Sequence, residues 1–219
     1  MVSLGLKAER SVAFPGAAGV IEGRVANETS HKEGALVVLH PHPSYGGSMD
    51  NNVVETVVLA GQVSNLTTLR FNFRGVGGSQ GRYDHGVGEQ DDVGAALNFL
   101  EKRYCPKTKV LVGYSFGACV ALAYCHREGH GVDHLFLISP PPFILPDDLS
   151  LELSVVRKIV LGEHDDIAPP QQVTSRVSGR GAVRLIEVLP GADHFYFGKE
   201  GDVKELLSGL FDTFMGAGE

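Results

Sequence analysis

Val110-Leu-Val-Gly-Tyr-Ser-Phe-Gly-Ala118 is the stretch that most narrows what this chain can fold into. A short apolar run enters Gly113-Tyr114-Ser115-Phe116-Gly117, and the residues that follow, Ala118 to Tyr124, read as a helix. G-x-S-x-G between a strand and a helix describes a serine forced through a sharp, strained turn at the carboxyl edge of a sheet. Glycine has no Cβ, so Gly113 and Gly117 permit crowding that other residues would resist. A serine hydroxyl is a weak nucleophile unaided, so the pattern calls for a histidine base and an acid that orients it further along the chain.

The rest of the chain repeats a strand-then-helix rhythm. Ala35-Leu-Val-Val-Leu39 is continuously apolar and β-branched, the mark of a strand covered on both faces. Further strands are expected near 11–14, 19–26, 66–72, 108–113, 134–139, 155–161 and 183–189. Helices are expected near 50–63, 89–104, 116–128, 170–178 and 201–215, with Asp50 capping the first and Asp91 and Asp92 in the first turn of the second. This order predicts an α/β fold: a mostly parallel, twisted sheet of about eight strands with helices on both faces, in one domain spanning 1–219. Right-handed crossovers then gather every strand-to-helix loop on one edge, where ligands bind.

Composition excludes several classes of function. Lys and Arg number 19 against 26 Asp and Glu, a formal charge of −7 without long blocks of either sign, so neither nucleic acid nor an anionic membrane is an expected partner. The three cysteines, Cys105, Cys119 and Cys125, form no C-x-x-C and fit reduced thiols in a cytoplasmic setting. Charges interrupt the first ten residues where a signal peptide needs its apolar run, and no stretch approaches 18 apolar residues.

Leu39-His-Pro-His-Pro-Ser-Tyr-Gly-Gly-Ser-Met-Asp-Asn-Asn52, Arg70-Phe-Asn-Phe-Arg-Gly-Val-Gly-Gly-Ser79 and Gly113-Tyr-Ser-Phe-Gly117 together resemble the α/β-hydrolase superfamily over essentially the whole chain. More narrowly they look like its small, lid-poor hydrolases related to the dienelactone-hydrolase branch. The resemblance implies that G-x-x-D-x-x-x-P, here Gly162 to Pro169, carries the acid on Asp165, with Asp166 as the neighbour that could be mistaken for it. It also implies that His194, in Gly191-Ala-Asp-His-Phe195, is the base; the chain order Ser115, Asp165, His194 is that of the superfamily. The oxyanion donors implied are the backbone N–H of Phe116 and one in the loop after the third strand. Pro41 and Pro43 have no N–H to give. Alignment with the family's loop points to His42, with Tyr45, through its N–H or its hydroxyl, as the alternative.

The function implied is a serine hydrolase that cleaves carboxylic esters or thioesters of small to medium acyl groups through an acyl-enzyme, without a cofactor. Residues 139–154 are too few for a cap, so the site is expected to be open. Pro142, Phe143, Ile144 and Leu145 would form an apolar wall, faced by Tyr45, Phe195 and Tyr196. An uncovered site also leaves room for a partner subunit, a homodimer among the options. His40 and His42 alternate on an extended segment and lack a third ligand of suitable spacing, which argues against a metal. Arg74-Gly75-Val-Gly77-Gly78-Ser79 lacks the spacing of a nucleotide loop and reads as a structural turn. Peptidase or amidase action on the same residues, and a non-catalytic scaffold that kept the fold, are the competing readings.

Overall fold

A computed structural model describes residues 8–28, 34–127, 130–143, 145, 155–177 and 185–216. Its strands are β1 (Arg10–Gly16), β2 (Gly19–Ala26), β3 (Gly34–Leu39), β4 (Thr67–Phe71), β5 (Thr108–Tyr114), β6 (His134–Ile138), β7 (Val156–Gly162) and β8 (Ile186–Leu189). They join in one sheet in the order β1-β2-β4-β3-β5-β6-β7-β8. β1 and β2 form an antiparallel hairpin, β2 lies antiparallel to β4, and all the remaining neighbours run parallel. The helices are α1 (Asn52–Val63), α2 (Glu89–Tyr104), α3 (Phe116–Cys125), α4 (Pro170–Arg176) and α5 (Glu200–Gly216).

Continuous apolar strands follow from helices on both faces. Successive side chains of β3 point to opposite sides. Val37 and Leu39 therefore join a core with Leu111, Leu135, Val93, Leu97, Leu122 and Val173, beneath α2, α3 and α4. Leu36 and Val38 join the second core with Val110, Val112, Val54, Val57, Leu207 and Phe211, beneath α1 and α5.

Strand order reverses between β3 and β5, which pair in parallel up to Leu39 opposite Gly113. The loop after β3 and the turn after β5 are thereby side by side at the carboxyl edge, the position where open α/β sheets bind ligands.

Several details depart from the sequence reading. The cap of α1 is Asn51, whose side chain accepts from the Val53 N–H at 2.9 Å. Asp50 instead pairs with Arg24 and Arg70, because the buried Arg70 guanidinium needs carboxylates around it. Asp92 sits in the first turn of α2 but spends its carboxylate on the buried Arg74, through both the side chain and the main-chain N–H. Helix α3 ends at Cys125, earlier than expected. Residues 178, 183 and 184, at the edges of the expected fourth helix and last strand, lie outside the described residues, as does Ile144. Leu145 is buried in the core beneath α3 and forms no part of a wall. Residues 139–155 connect β6 to β7, too short a run for a separate cap. Among the described residues no helix is long and apolar enough to cross a membrane.

Candidate active site

Ser115 follows β5 directly and has φ 54°, ψ −119°, a conformation that costs a non-glycine residue about 1–3 kcal/mol. The surroundings hold it there. Its N–H donates to the Ile138 carbonyl at 2.8 Å, and its own carbonyl accepts from the Ala118 N–H at 2.9 Å. The turn is close-packed on both sides: a Cβ on Gly113 would meet the Gly117 carbonyl and lie 2.6 Å from the Ala118 Cα. One on Gly117 would lie 2.6 Å from the Leu39 oxygen. The two glycines act as steric permits, as the motif requires.

His194 and Asp165 come to this serine from the loops after β8 and β7. His194 Nε2 lies 3.0 Å from Ser115 Oγ, and His194 Nδ1 lies 2.8 and 2.9 Å from the two oxygens of Asp165. A carboxylate only accepts, so Nδ1 carries the proton and Nε2 is free to take one from the serine. Asp165 is 3% exposed. Burial alone would raise its pKa, but hydrogen bonds from His194, the Ser139 hydroxyl and the Ala168 N–H outweigh it and hold the carboxyl below its ordinary range. The Ile167 N–H adds a bond at 2.9 Å. Asp166 is exposed.

The His194 turn is tied down independently. Asp193 accepts from the N–H groups of Phe195 and Tyr196, each at 2.9 Å. The Tyr114 hydroxyl donates to the His194 carbonyl at 2.7 Å, and its ring lies 5.5 Å from the imidazole.

The loop after β3 is pinned by its two histidines. His40 is fully buried; its Nδ1–H donates to the Pro41 carbonyl at 2.7 Å and its Nε2 accepts from the Phe73 N–H at 3.0 Å. With both nitrogens engaged, no lone pair remains for a metal, and burial pushes the pKa down to about 4. His42 Nδ1 accepts from the Ser44 N–H at 3.2 Å, so its proton is on Nε2 and goes to the Tyr83 hydroxyl at 3.0 Å. Burial lowers the His42 pKa too, more than nearby Glu89 raises it. The His42 ring packs 5.0 Å from that of Phe116, which ties the loop to the elbow.

Of the two donors left open for this loop, the Tyr45 N–H is spent on the His42 carbonyl at 3.1 Å. Among the described residues none accepts from the N–H of His42 or of Phe116. Tyr45, Phe143 and Phe195 are 89%, 72% and 48% exposed, and come from the loops after β3, β6 and β8 at the same edge as Ser115. Tyr196 does not face this space; its ring is fully buried in the core beneath α5.

The glycine-rich loop is structural. Gly75 and Gly77 take positive φ, Arg74 clasps Asp92, and Glu89 accepts from the N–H groups of Asp84 and Gly86 at 2.8 Å each. Sequence reasoning did not find the contributions of Tyr114, Ser139, Tyr196 and Tyr83. The one available signal was a serine or tyrosine at the carboxyl end of an otherwise apolar strand.

A model of the α/β hydrolase fold matches residues 41–176. The chain belongs to the α/β-hydrolase fold family. Its relatives include an uncharacterised protein of Rickettsia prowazekii, 38% identical over 84% of this chain and 80% of that one. An α/β serine hydrolase homologue from Coxiella burnetii superposes with a TM-score of 0.77 at 32% identity, covering 92% of this chain and 96% of that one. A serine hydrolase of Xanthomonas campestris, described as having no lid, superposes at 0.80 with 27% identity, over 96% and 97% of the two chains. The fold and these neighbours support a hydrolase.

Proposed function

We propose that this α/β-hydrolase-fold chain cleaves carboxylic esters or thioesters of small to medium acyl groups through a covalent acyl-enzyme on Ser115. One observation carries the reading: the unbroken line from Ser115 Oγ through His194 to Asp165, with contacts of 3.0 and 2.8 Å. In the proposed reaction His194 Nε2 takes the Ser115 proton as Oγ bonds to the substrate carbonyl carbon, and the carbonyl electrons move onto oxygen. The Phe116 and His42 N–H groups bind that oxyanion, each donor being worth about 100- to 1000-fold in rate. Collapse of the intermediate breaks the bond to the alcohol or thiol, which leaves with the proton from His194. Water then enters by the same steps in reverse roles and releases the acid. Asp165 holds the imidazole tautomer throughout and stabilises its cation.

Exposed Tyr45, Phe143 and Phe195 favour an apolar acyl or leaving group in an open cleft. The short connection between β6 and β7 argues for ordinary saturation kinetics with soluble esters. The test is intact mass after treatment with a fluorophosphonate. A single adduct on wild type and none on Ser115→Ala is expected, followed by turnover of short-chain esters. No adduct on folded wild type would remove the catalytic reading and leave the scaffold reading.

A further inference from the structure

We propose that Tyr114 and Asn52 are positioning residues, two side-chain donors that hold the main chain of the His194 turn and so set the imidazole against Ser115. The inference rests on the serine-hydrolase reading above. The turn leaves two carbonyls to be satisfied from outside it. Asp193 takes the N–H groups of Phe195 and Tyr196, and the Tyr196 carbonyl takes the Lys199 N–H at 2.9 Å. Among the described residues no main-chain N–H donates to the carbonyl of His194 or of Phe195. Each goes to a side chain of another element: the His194 carbonyl accepts from the Tyr114 hydroxyl at 2.7 Å, and the Phe195 carbonyl from the Asn52 amide at 2.9 Å.

Both bonds have one direction only. A carbonyl can only accept, so Tyr114 gives its hydroxyl proton and Asn52 turns its Nδ2 towards the turn. The same amide nitrogen lies 3.3 Å from Glu200 Oε1 at the start of α5, a second acceptor that fixes the same orientation. Tyr114 is buried, and burial raises its pKa, so the phenol stays a donor. Tyr114 immediately precedes Ser115, so one strand end meets His194 twice: the Tyr114 hydroxyl on its carbonyl, and Ser115 Oγ 3.0 Å from its Nε2. Any shift of the turn against β5 changes both contacts together. Asn52 opens α1, where the loop that carries His42 ends, and anchors the turn from that side. Asp165 holds the ring through Nδ1, whereas these two donors hold the main chain that carries the ring. Reacting groups need placing to within about half an ångström, which the ring contact alone does not secure.

Tyr114→Phe and Asn52→Ala test the proposal against Tyr124→Phe, which removes a like bond, to the His130 carbonyl at 3.1 Å, away from this turn. The readouts are kcat and KM on a short-chain nitrophenyl ester, the rate of fluorophosphonate labelling, and hydrogen exchange of the His194 Nδ1 proton by NMR beside that of the β5 amides. Tyr114→Phe should lower kcat and labelling roughly 10-fold and Asn52→Ala roughly 3-fold, with KM unchanged. Exchange at Nδ1 should quicken by about the same factors while the β5 amides keep theirs, which separates local release of the turn from general loss of stability. Tyr124→Phe should match wild type in all three. Unchanged kcat and Nδ1 exchange in either folded variant, or a loss confined to KM, would overturn the proposal. If Tyr114→Phe does not fold, Asn52→Ala, at a partly exposed site, decides alone by the same criteria. Absence of labelling and turnover in wild type would refute the parent reading, while the Nδ1 exchange still decides this one.

Discussion

Gly117→Ala reaches the proposed chemistry through a single added methyl. Its Cβ would lie 2.6 Å from the Leu39 oxygen, 2.7 Å from the His40 oxygen and 2.8 Å from the Leu39 carbonyl carbon. All three are main-chain atoms at the end of β3, a strand paired on both sides, so no flexible side chain can yield. The elbow must retreat from the β3 loop by roughly half an ångström, and overpacking of this kind costs about 1–3 kcal/mol. In a chain of this length each kcal/mol lowers Tm by about 2–4 °C. The same retreat carries the Phe116 N–H away from His42, and a misplacement of that order costs kcat roughly 10- to 100-fold. KM should move little, because the loss falls on the developing oxyanion. Gly209→Ala is the control: it lies inside α5 with nothing within 4 Å, and should gain up to about 1 kcal/mol with kcat unchanged. Thermal melts and steady-state kinetics on a short-chain nitrophenyl ester compare the two. A Gly117→Ala protein with the Tm and kcat of the control would refute the packing argument and the placement of the oxyanion site.

The two neighbouring aspartates should separate cleanly: Asp165→Asn is expected to lower kcat by roughly 10⁴ and Asp166→Asn by no more than a few-fold, and the opposite ranking in ester turnover would move the acid to Asp166. Acid should also destabilise the fold through His40. Its folded pKa of about 4 lies below the ordinary 6.5, so the unfolded chain binds the extra proton first; the stability is complete above pH 6.5 and is lost as pH falls towards 4. The full difference is about 3 kcal/mol. His42 and His134, also lowered by burial, add in the same direction. Urea midpoints from pH 7 to 4.5 should fall in wild type and less steeply in His40→Gln; parallel curves would show that other groups govern the acid transition.

Legibility of the chain tracked the range of the interactions involved. Strands β3 and β5 announce themselves because both of their faces are buried, and Ser115 because its turn tolerates only glycine at its flanks. The loops that deliver His194 and Asp165 were readable only through motif and chain order; that they meet Ser115 is set by the register of β5, β6, β7 and β8. The hydroxyl pair Ser139–Tyr196 spans 57 residues and has no local pattern. Asn51 and Asp50 are chemically equivalent caps on paper, and the choice fell to Arg70, which arrives from β4. The motif leaves His42 and Tyr45 as alternative donors, because the bond that takes up the Tyr45 N–H depends on the turn at Pro43–Tyr45 and has no signature in the residues.

Strain at the carboxyl edge is shared between strands in a way that joins the elbow to the acid. Among the described residues the non-glycine positive φ values include Asn27 and Asn65, whose side chains tolerate that region, and Cys105, which ends α2. Ser115, Ser139 and Tyr196 have no such excuse, and each is held by a hydrogen bond from its own N–H. Ser115 bonds to Ile138 at the end of β6; Ser139, the residue just after that strand, bonds to Val160 of β7; Tyr196 bonds to Asp193. The bonds climb from β5 to β6 to β7, so the end of β6 supports the nucleophile through the Ile138 carbonyl and is itself fixed, through the Ser139 N–H, to the strand that leads to Asp165. A change that loosens the end of β6 would therefore disturb both ends of the Ser115–His194–Asp165 line while leaving all three side chains chemically intact.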